Sequence, residues 1–224
     1  MTDSDDGFRQ HRFAPPPGST RVLLVRHGES APAHPDRPFP VRDGHGDPPL
    51  HPHGRAQAEL VGSRLAAEEP IAAIYVTTLQ RTHETAAPLA ARLGLDPIVV
   101  PELREVHLGD WEGGQLRVRA ATGDPLVAEV MRRQRWDVIP GAESEECFDT
   151  RLQIGLARVV GAHPDATVVA VVHGGVIGQL LNHVAGTTGF TFAGSDNASI
   201  SELVVHGDRQ ILRRFNDTSH LGPA

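Results

Sequence analysis

Short uninterrupted apolar runs alternate along the chain with longer segments whose apolar residues recur at helical spacing. The runs at 22–25, 71–76 and 168–172 are rich in apolar residues and show no polar alternation. They therefore predict strands that are buried on both faces, as in the parallel sheets of α/β proteins. Helices are predicted between and after these strands, at 54–69, 77–93, 144–162 and 176–184.

The remaining segments are less regular. Residues 97–100 predict a short strand, and 115–135 predict a weak helix that is interrupted by a Gly-Asp-Pro sequence. The runs 199–205 and 210–215 predict an antiparallel pair joined through a Gly-Asp turn. Residues 31–53 are rich in Pro, Gly, Asp and His and predict a long loop, whose length favours a wall of a functional site over a simple connection.

The domain organisation follows from the same pattern. Residues 1–20 are polar and contain three consecutive prolines, which predicts a flexible N-terminal tail. Apolar residues make up 39% of the 224 residues, which is enough for a core. No linker or internal repeat divides the remainder, so residues 21–224 are expected to form a single domain.

Charge and cysteine content exclude several classes of protein. The formal net charge of −7, from 21 basic and 28 acidic residues, argues against a general binder of nucleic acid or of anionic membranes. No apolar run approaches the ~18 residues of a membrane span, and no signal peptide is recognised. The single cysteine, Cys147, excludes an internal disulfide and favours a cytoplasmic protein. The oligomeric state stays open, a homodimer included.

The chain contains no lysine, so all 21 basic residues are arginines. This excludes Schiff-base chemistry, a P-loop lysine and a lysine general base. An anion site must then use guanidinium, imidazole or backbone N–H groups. A guanidinium matches the oxygens of phosphate and carboxylate well.

Two of the buried strands run into the same kind of sequence. The first is followed by Arg26, His27 and Gly28, and the one far downstream by His173 and Gly174. Burying an unpaired charge costs on the order of several kcal/mol, so these residues indicate a ligand site rather than core. Ligands of α/β sheets bind at the carboxyl ends of parallel strands. If the two strands are neighbours, the two imidazoles meet at one rim.

A further arginine, Arg81, lies in the first turn of the helix predicted after the strand at 71–76. A cation is unfavourable at that end of a helix unless it faces an anion that the helix N–H groups also bind. An exposed arginine is the alternative, and the pattern alone does not choose between the two.

The loop at 31–53 carries four histidines: His34, His45, His51 and His53. Their spacing matches no set of metal ligands, and no cysteine accompanies them. We therefore predict exposed loop histidines, with no metal site and no cofactor.

Two histidines and two arginines around one anion permit phosphoryl transfer without a metal. A neutral imidazole can attack phosphorus and form a phosphohistidine. Guanidinium groups neutralise charge on the transferring oxygens, which is the main source of stabilisation in such reactions. A carboxylic acid that protonates the leaving oxygen contributes roughly 10²–10⁴-fold in rate.

The sequence Arg-His-Gly-Glu-Ser at 26–30 resembles the signature of the histidine phosphatase superfamily, in its phosphoglycerate mutase-like branch. Further segments are similar to family motifs in the same order: Leu50 with Gly54 and Gln57-Ala58, Leu79 and Arg81 with Thr85-Ala86, Leu103 and Glu105 with Gly109, Trp111, Glu112 and Gly113, His173-Gly174, and Asn216-Asp217-Thr218 with His220-Leu221. The agreement in order, over about residues 22–221, makes the resemblance specific.

The resemblance implies a three-layer α/β/α sandwich with a mostly parallel central sheet. It implies His27 as the nucleophile and Glu105 as the group that protonates the leaving oxygen and later activates water. The implied phosphate pocket consists of Arg26, His27, Arg81, His173 and the Gly174 N–H. The implied substrate is a small phosphate ester, with no nucleic acid or membrane as partner.

The chain departs from the family at positions outside that pocket. Ala33 stands where many relatives have Asn, so one phosphate contact is missing or comes from elsewhere. His51, Thr78 and Glu84 stand where Thr, Pro and Gln are usual. These departures concern the substrate rather than the reaction.

Two alternatives to a phosphatase remain. A mutase would use the same scaffold while excluding water, although the segment that begins at Glu105 resembles the phosphatases more than the mutases. A non-catalytic module that binds a phosphorylated ligand would keep the fold, and the intact pocket residues argue against it.

Overall fold

Eight strands and six α-helices make up residues 10–222, the part of the chain that the computed structural model describes. In chain order they are β1 (Thr20–Arg26), β2 (Val41–Arg42), β3 (His45–Gly46), α1 (Pro52–Glu68), β4 (Ile71–Val76), α2 (Gln80–Leu93), β5 (Ile98–Val99), α3 (Gln115–Thr122), α4 (Pro125–Arg133), α5 (Glu145–Gly161), β6 (Thr167–Val172), α6 (Gly174–Ala185), β7 (Ile200–His206) and β8 (Arg209–Asp217).

Six strands form one sheet in the order β5-β4-β6-β1-β7-β8. The first four are parallel neighbours, whereas β7 is antiparallel to β1 and β8 is antiparallel to β7. This confirms the predicted mostly parallel sheet and the antiparallel pair at the end of the chain. Because β1 and β6 are adjacent, with Arg26 opposite Val172, the residues that follow the two strands leave the sheet side by side.

Both faces of the sheet are covered by helices. In β1, Val22 and Leu24 belong to a core cluster with residues of α5 and α6, whereas Leu23 and Val25 pack with residues of α1 and α2. Every residue of β6 is buried. Apolar residues therefore occupy both faces at positions 22–25 of β1 and 168–172 of β6, which explains the missing alternation in the sequence. The three-layer α/β/α sandwich is confirmed.

A smaller cluster around Trp111, Val130 and Ile139 lies under the segment that was predicted to be weakly helical. That helix is interrupted as predicted, between α3 and α4. The Asp124 Oδ1 accepts a hydrogen bond of 2.9 Å from the Leu126 N–H and so caps the start of α4. The interruption separates two short helices beside the site described below.

Several boundaries differ from the predictions. The predicted loop at 31–53 contains a small hairpin, β2–β3, which the irregular sequence did not indicate. The strand β1 begins at Thr20, which the sequence assigned to the tail, and α6 begins two residues early, at Gly174. Residues 1–9 of the predicted tail and 223–224 of the predicted domain lie outside the described residues. Within 10–222, no helix has the length and apolar character needed to cross a bilayer.

Candidate active site

The two histidines that follow β1 and β6 meet at the carboxyl ends of the strands. The ring centroids of His27 and His173 are 5.2 Å apart, with an angle of 62° between the ring planes. Both side chains are buried, and His173 is fully inaccessible to solvent. The parallel register of β1 and β6 produces this approach, since each histidine is the first residue after its strand.

Hydrogen bonds fix the protonation state of His27. Its Nδ1–H donates to the Gly28 carbonyl oxygen at 2.7 Å, and its Nε2 accepts from the Arg81 Nε–H at 3.2 Å. Burial, and then the charges of Arg81 and Arg26, hold the pKa of His27 well below its usual 6.5. The ring is therefore neutral at pH 7, with its lone pair on Nε2.

The second histidine has one partnered and one free nitrogen. The Nε2 of His173 lies 3.0 Å from the Thr77 hydroxyl, whereas its Nδ1 is buried and has no hydrogen-bond partner among residues 10–222. Burial, followed by the charges of Arg81 and His27, lowers the pKa of His173 well below 6.5. A buried ring nitrogen without a partner is costly, and a bound ligand oxygen would remove that cost.

Arg81, which the helix pattern left undecided and the family resemblance assigned to the phosphate pocket, is buried beside His27. It is the second residue of α2, its Nη1 donates to the Gly46 carbonyl oxygen at 3.0 Å, and it lies 4.0 Å from the Asp47 carboxylate. Burial lowers the pKa of Arg81 to about 10, while the nearby carboxylates of Glu105 and Asp47 raise it. The guanidinium therefore stays charged at neutral pH.

Arg26 ends β1 and brings a second guanidinium to the rim. One of its terminal nitrogens donates to the Ser195 carbonyl oxygen, and its Nε is buried with no partner in the described part of the chain. Burial lowers the pKa of Arg26, and the carboxylates of Glu105 and Asp196 oppose this shift. The first residue of α6 packs against this guanidinium, since a Cβ at Gly174 would lie 3.4 Å from the Arg26 Nε, an ordinary van der Waals contact.

The carboxylate of Glu105 is held at the start of α6. The Gly175 N–H donates to its Oε2 at 3.2 Å and the Val106 N–H to its Oε1 at 3.0 Å. The N-terminus of a helix favours such an anion. A Cβ at Gly175 would lie 2.4 Å from Oε1, so only glycine accommodates this carboxylate. The Glu105 carbonyl oxygen accepts from Arg151 at 2.8 Å and contacts the His45 Nε2 at 3.1 Å. The prediction of exposed loop histidines is therefore wrong for His45, which is buried against this segment.

The residues that hold the two histidines, the two arginines and Glu105 in place could not be identified from the sequence. Thr77 contacts His173, and Asp47 lies near Arg81 while accepting from the Gln80 N–H at 2.8 Å. The Asn197 side chain donates to the His27 carbonyl oxygen at 2.9 Å. Only Gly175 had a signal in the sequence, as the second glycine after His173.

The structure shows the surroundings of two departures from the family, His51 and Ala33. His51, in place of Thr, caps α1 by accepting a hydrogen bond from the His53 N–H at 3.3 Å. Near Ala33, Arg117 donates to the Ser30 hydroxyl at 2.7 Å and lines a cavity together with Arg26. No group of three or more His, Cys, Asp or Glu side chains within residues 10–222 is arranged to hold a metal ion.

A family model of the histidine phosphatase superfamily (branch 1) matches residues 22–218. The chain belongs to this superfamily. The matched region runs from β1 to the end of β8 and includes all the site residues described above. The resemblance noted in the sequence is therefore confirmed.

Several proteins of known sequence are similar to this chain over about 90% of its residues. Phosphoglycerate mutase-like protein 4 of Arabidopsis thaliana is 33% identical over 204 residues, which cover 89% of this chain and 86% of that protein. Phosphoserine phosphatase 1 of Hydrogenobacter thermophilus is 30% identical over 215 residues, covering 90% and 94%. Three mycobacterial relatives are longer, and the match covers 55% of their length.

The fold of this histidine phosphatase is shared with solved structures. A mycobacterial glucosyl-3-phosphoglycerate phosphatase superposes with a TM-score of 0.72 at 27% sequence identity. The superposition covers 89% of this chain and 100% of that chain. The architecture predicted from the resemblance is therefore found in a relative of known structure.

Proposed function

We propose that this chain is a phosphomonoester hydrolase that acts on a small phosphorylated metabolite through a phosphohistidine at His27. The observation that carries the proposal is the state of His27: a buried, neutral ring with its lone pair on Nε2, beside Arg81 and His173. Relatives named phosphoserine phosphatase and glucosyl-3-phosphoglycerate phosphatase support hydrolysis as the reaction.

Two buried nitrogens without hydrogen-bond partners in the described residues, Arg26 Nε and His173 Nδ1, mark the proposed phosphate pocket. A phosphoryl group beside His27 accepts hydrogen bonds from Arg26 Nε–H, from Arg81 and from the N–H of Gly174 at the start of α6. His173 Nδ1 becomes a fourth donor when the Thr77 hydroxyl donates to Nε2, because the ring proton then resides on Nδ1. Each of these contacts satisfies a buried polar atom or offsets the phosphate charge.

The first step forms the phosphohistidine. The Nε2 lone pair of His27 attacks phosphorus while the bond to the ester oxygen breaks. In this step Glu105 acts in its carboxylic acid form. It gives its proton to that oxygen, so the alcohol leaves neutral and Glu105 becomes the carboxylate that the Gly175 and Val106 N–H groups bind. The Gly28 carbonyl oxygen accepts from Nδ1–H and stabilises the cationic ring that forms.

The second step returns the enzyme to its starting state. Water attacks the phosphorus, Glu105 accepts a proton from that water, and the phosphorus–Nε2 bond breaks. Inorganic phosphate leaves and His27 regains its lone pair. The two guanidinium groups supply the positive charge that the transferring oxygens need, so the mechanism requires no metal.

A cytoplasmic location stays a prediction from the sequence, and the oligomeric state stays open, a homodimer included.

The proposal is tested with His27→Ala. We expect the release of phosphate from p-nitrophenyl phosphate to fall by roughly 10³-fold or more, as for the loss of other nucleophiles. Rapid quenching of the wild-type enzyme with ³²P-labelled substrate should give a protein-bound label that is stable to base and labile to acid. Peptide mapping should place the label on His27. Activity should persist in EDTA.

The matched control is His34→Ala, which changes an exposed histidine of the loop at 31–53. This variant should form the same protein-bound ³²P label as the wild type and release phosphate at the same rate. Retained turnover in His27→Ala, or a label on another residue, would contradict the proposal. Efficient isomerisation of 3-phosphoglycerate with little phosphate release would identify a mutase instead.

A further inference from the structure

The site opens into two cavities. Both are lined by Arg26, but only one of them is lined by Glu105. The first, of about 340 Å³, is also lined by Glu105, Gly174 and Gly175. The second, of about 490 Å³, is lined by Ser30 and other residues but does not include Glu105. A general acid must reach the oxygen that it protonates. The alcohol part of the ester therefore extends into the first cavity, which we call the leaving-group cavity.

Apolar side chains form much of the wall of the leaving-group cavity. Met131, Trp136, Phe148 and Phe190 line it, and the rings of Trp136 and Phe190 are packed 4.6 Å apart. Met131 lies on α4 and is 50% exposed, although most large apolar side chains of this protein are buried. Such a surface lowers the free energy of an apolar group that enters it.

The charged groups of the leaving-group cavity disfavour an acidic substrate. Glu143 and Glu145 line it, and Glu143 is already paired with Arg151 at 2.7 Å. The one arginine of the wall besides Arg26 is Arg135, whose Nε donates to the Asp137 carboxylate at 2.9 Å. Both oxygens of Asp137 accept from this guanidinium, so its charge is neutralised locally. Within the described residues, the wall beyond Arg26 and Glu105 therefore offers a substrate carboxylate one acid without a salt-bridge partner, Glu145, and no arginine without one.

We propose that this enzyme prefers phosphate monoesters of uncharged, apolar alcohols over phosphorylated acids such as phosphoserine and 3-phosphoglycerate. This inference rests on the proposed phosphatase function and specifies its substrate class. It separates this chain from the phosphoserine and glucosyl-3-phosphoglycerate in the names of two relatives, because both of those substrates carry a carboxylate. The apolar wall at Met131, Trp136 and Phe190 determines the preference.

The test uses a series of straight-chain alkyl phosphates from ethyl to hexyl. The pKa of the alcohol hardly changes along the series, so kcat/KM reports binding in the cavity rather than leaving-group reactivity. We expect kcat/KM to rise by about 2- to 4-fold for each added methylene, as expected for burying apolar surface. Phosphoserine and 3-phosphoglycerate should be hydrolysed at least about 30-fold less efficiently than hexyl phosphate.

Variants locate the effect in the cavity wall. Met131→Ala should reduce the dependence on chain length, and Met131→Arg should improve phosphoserine relative to hexyl phosphate by supplying a cation. The matched control is Ile154→Ala, which removes an exposed apolar side chain of α5 that is not among the residues lining the cavity. It should leave the chain-length dependence unchanged.

The outcomes separate this inference from the proposed function. A flat response to chain length, or a preference for phosphoserine, in an enzyme that releases phosphate in a His27-dependent manner would overturn the substrate class alone. If neither the alkyl esters nor p-nitrophenyl phosphate release phosphate, both the function and the substrate class are wrong. An unchanged chain-length dependence in Met131→Ala would show that the cavity wall does not determine it.

Discussion

The reactivity of His27 depends on neighbours that act on its proton in opposite directions. The Gly28 carbonyl oxygen favours the protonated ring by accepting from Nδ1–H, whereas burial and the charges of Arg81 and Arg26 disfavour it. The unfavourable contributions dominate, so the ring is neutral before substrate arrives. In the proposed mechanism, the same carbonyl stabilises the cationic ring once the phosphoryl group is attached. A nucleophile needs both properties, in that order.

The first prediction concerns Arg81→Gln. This change removes the cation beside Nε2 while keeping a hydrogen-bond donor, so the pKa of His27 should rise. The mutant then protonates at a higher pH than the wild type as the solution is acidified, and the acidic limb of kcat/KM should shift upward in pH. Titration of the ¹⁵N-labelled histidine rings by NMR measures the pKa directly. Arg55→Gln, an exposed arginine paired with Glu84, is the control and should not shift it. An unchanged or lower pKa of His27 in Arg81→Gln would show that the Arg81 guanidinium does not lower this pKa.

The sequence indicated the candidate reactive residues, but not the residues that hold them in place. His27 and His173 were recognisable because each follows a buried apolar run, and the end of such a run is a fixed place in a parallel sheet. Asp47 and Thr77 lie in segments without periodicity, and their side chains reach the site through turns whose geometry the sequence does not encode in a simple pattern. The helix pattern alone left Arg81 undecided, and only the family resemblance assigned it to the phosphate pocket.

At the scale of elements, the start of α6 serves two parts of the site at once. Gly174 lies against the Arg26 guanidinium, and the Gly175 N–H holds the Glu105 carboxylate. A side chain at Gly175 would collide with that carboxylate. The first turn of this helix therefore determines how closely the acid approaches the phosphate pocket.

Gly175→Ala tests this arrangement. A methyl group there would lie 2.4 Å from the Glu105 Oε1, so the carboxylate must move. We expect hydrolysis of alkyl phosphates to fall by about 10²-fold, approaching the loss in Glu105→Gln, because a poor leaving group needs the acid. Hydrolysis of p-nitrophenyl phosphate should change far less. The free energy of unfolding should change by less than about 1 kcal/mol, since alanine suits a helix.

The control for this prediction is Gly161→Ala, at the end of α5, where an added methyl group meets no atom of the described structure within 4 Å. It should leave both substrates unaffected. Equal losses on alkyl and aryl esters in Gly175→Ala would argue that Glu105 does not protonate the leaving oxygen. A large loss of stability would instead mean that the substitution disrupts packing.

The elements themselves were predictable to different degrees. The strands β1 and β6 were evident because burial on both faces leaves no polar position, and the break between α3 and α4 was marked by a glycine and a proline. The β2–β3 hairpin was missed because each strand has only two residues, too few to show alternation. Its position still matters, since Gly46 accepts from Arg81.

For the whole molecule, the sandwich buries several histidines in the neutral form. Burial lowers the pKa of His27, His45, His173 and His220, and the first and third are almost fully enclosed. Sequence could predict the layers that enclose them, because the apolar pattern determines which faces are covered. It could not predict their protonation, which depends on distances between residues far apart in the chain.

The stability of the molecule should therefore depend on pH in a definite direction. In the unfolded chain these histidines titrate near 6.5, whereas in the native state the pKa values are lower. Below about pH 6.5 the unfolded chain binds protons that the native state does not, so the free energy of unfolding should fall as pH decreases, by up to about 1.4 kcal/mol per pH unit for each such histidine. Above that pH this contribution is constant. Urea unfolding at a series of pH values between about 8 and 5 measures how the free energy of unfolding changes with pH. We expect His27→Asn to reduce this pH dependence. Replacing the exposed His34 in His34→Asn should leave it unchanged. A free energy of unfolding that is flat across this range would mean that these histidines are protonated inside the folded protein, and a neutral nucleophile at His27 would then be untenable.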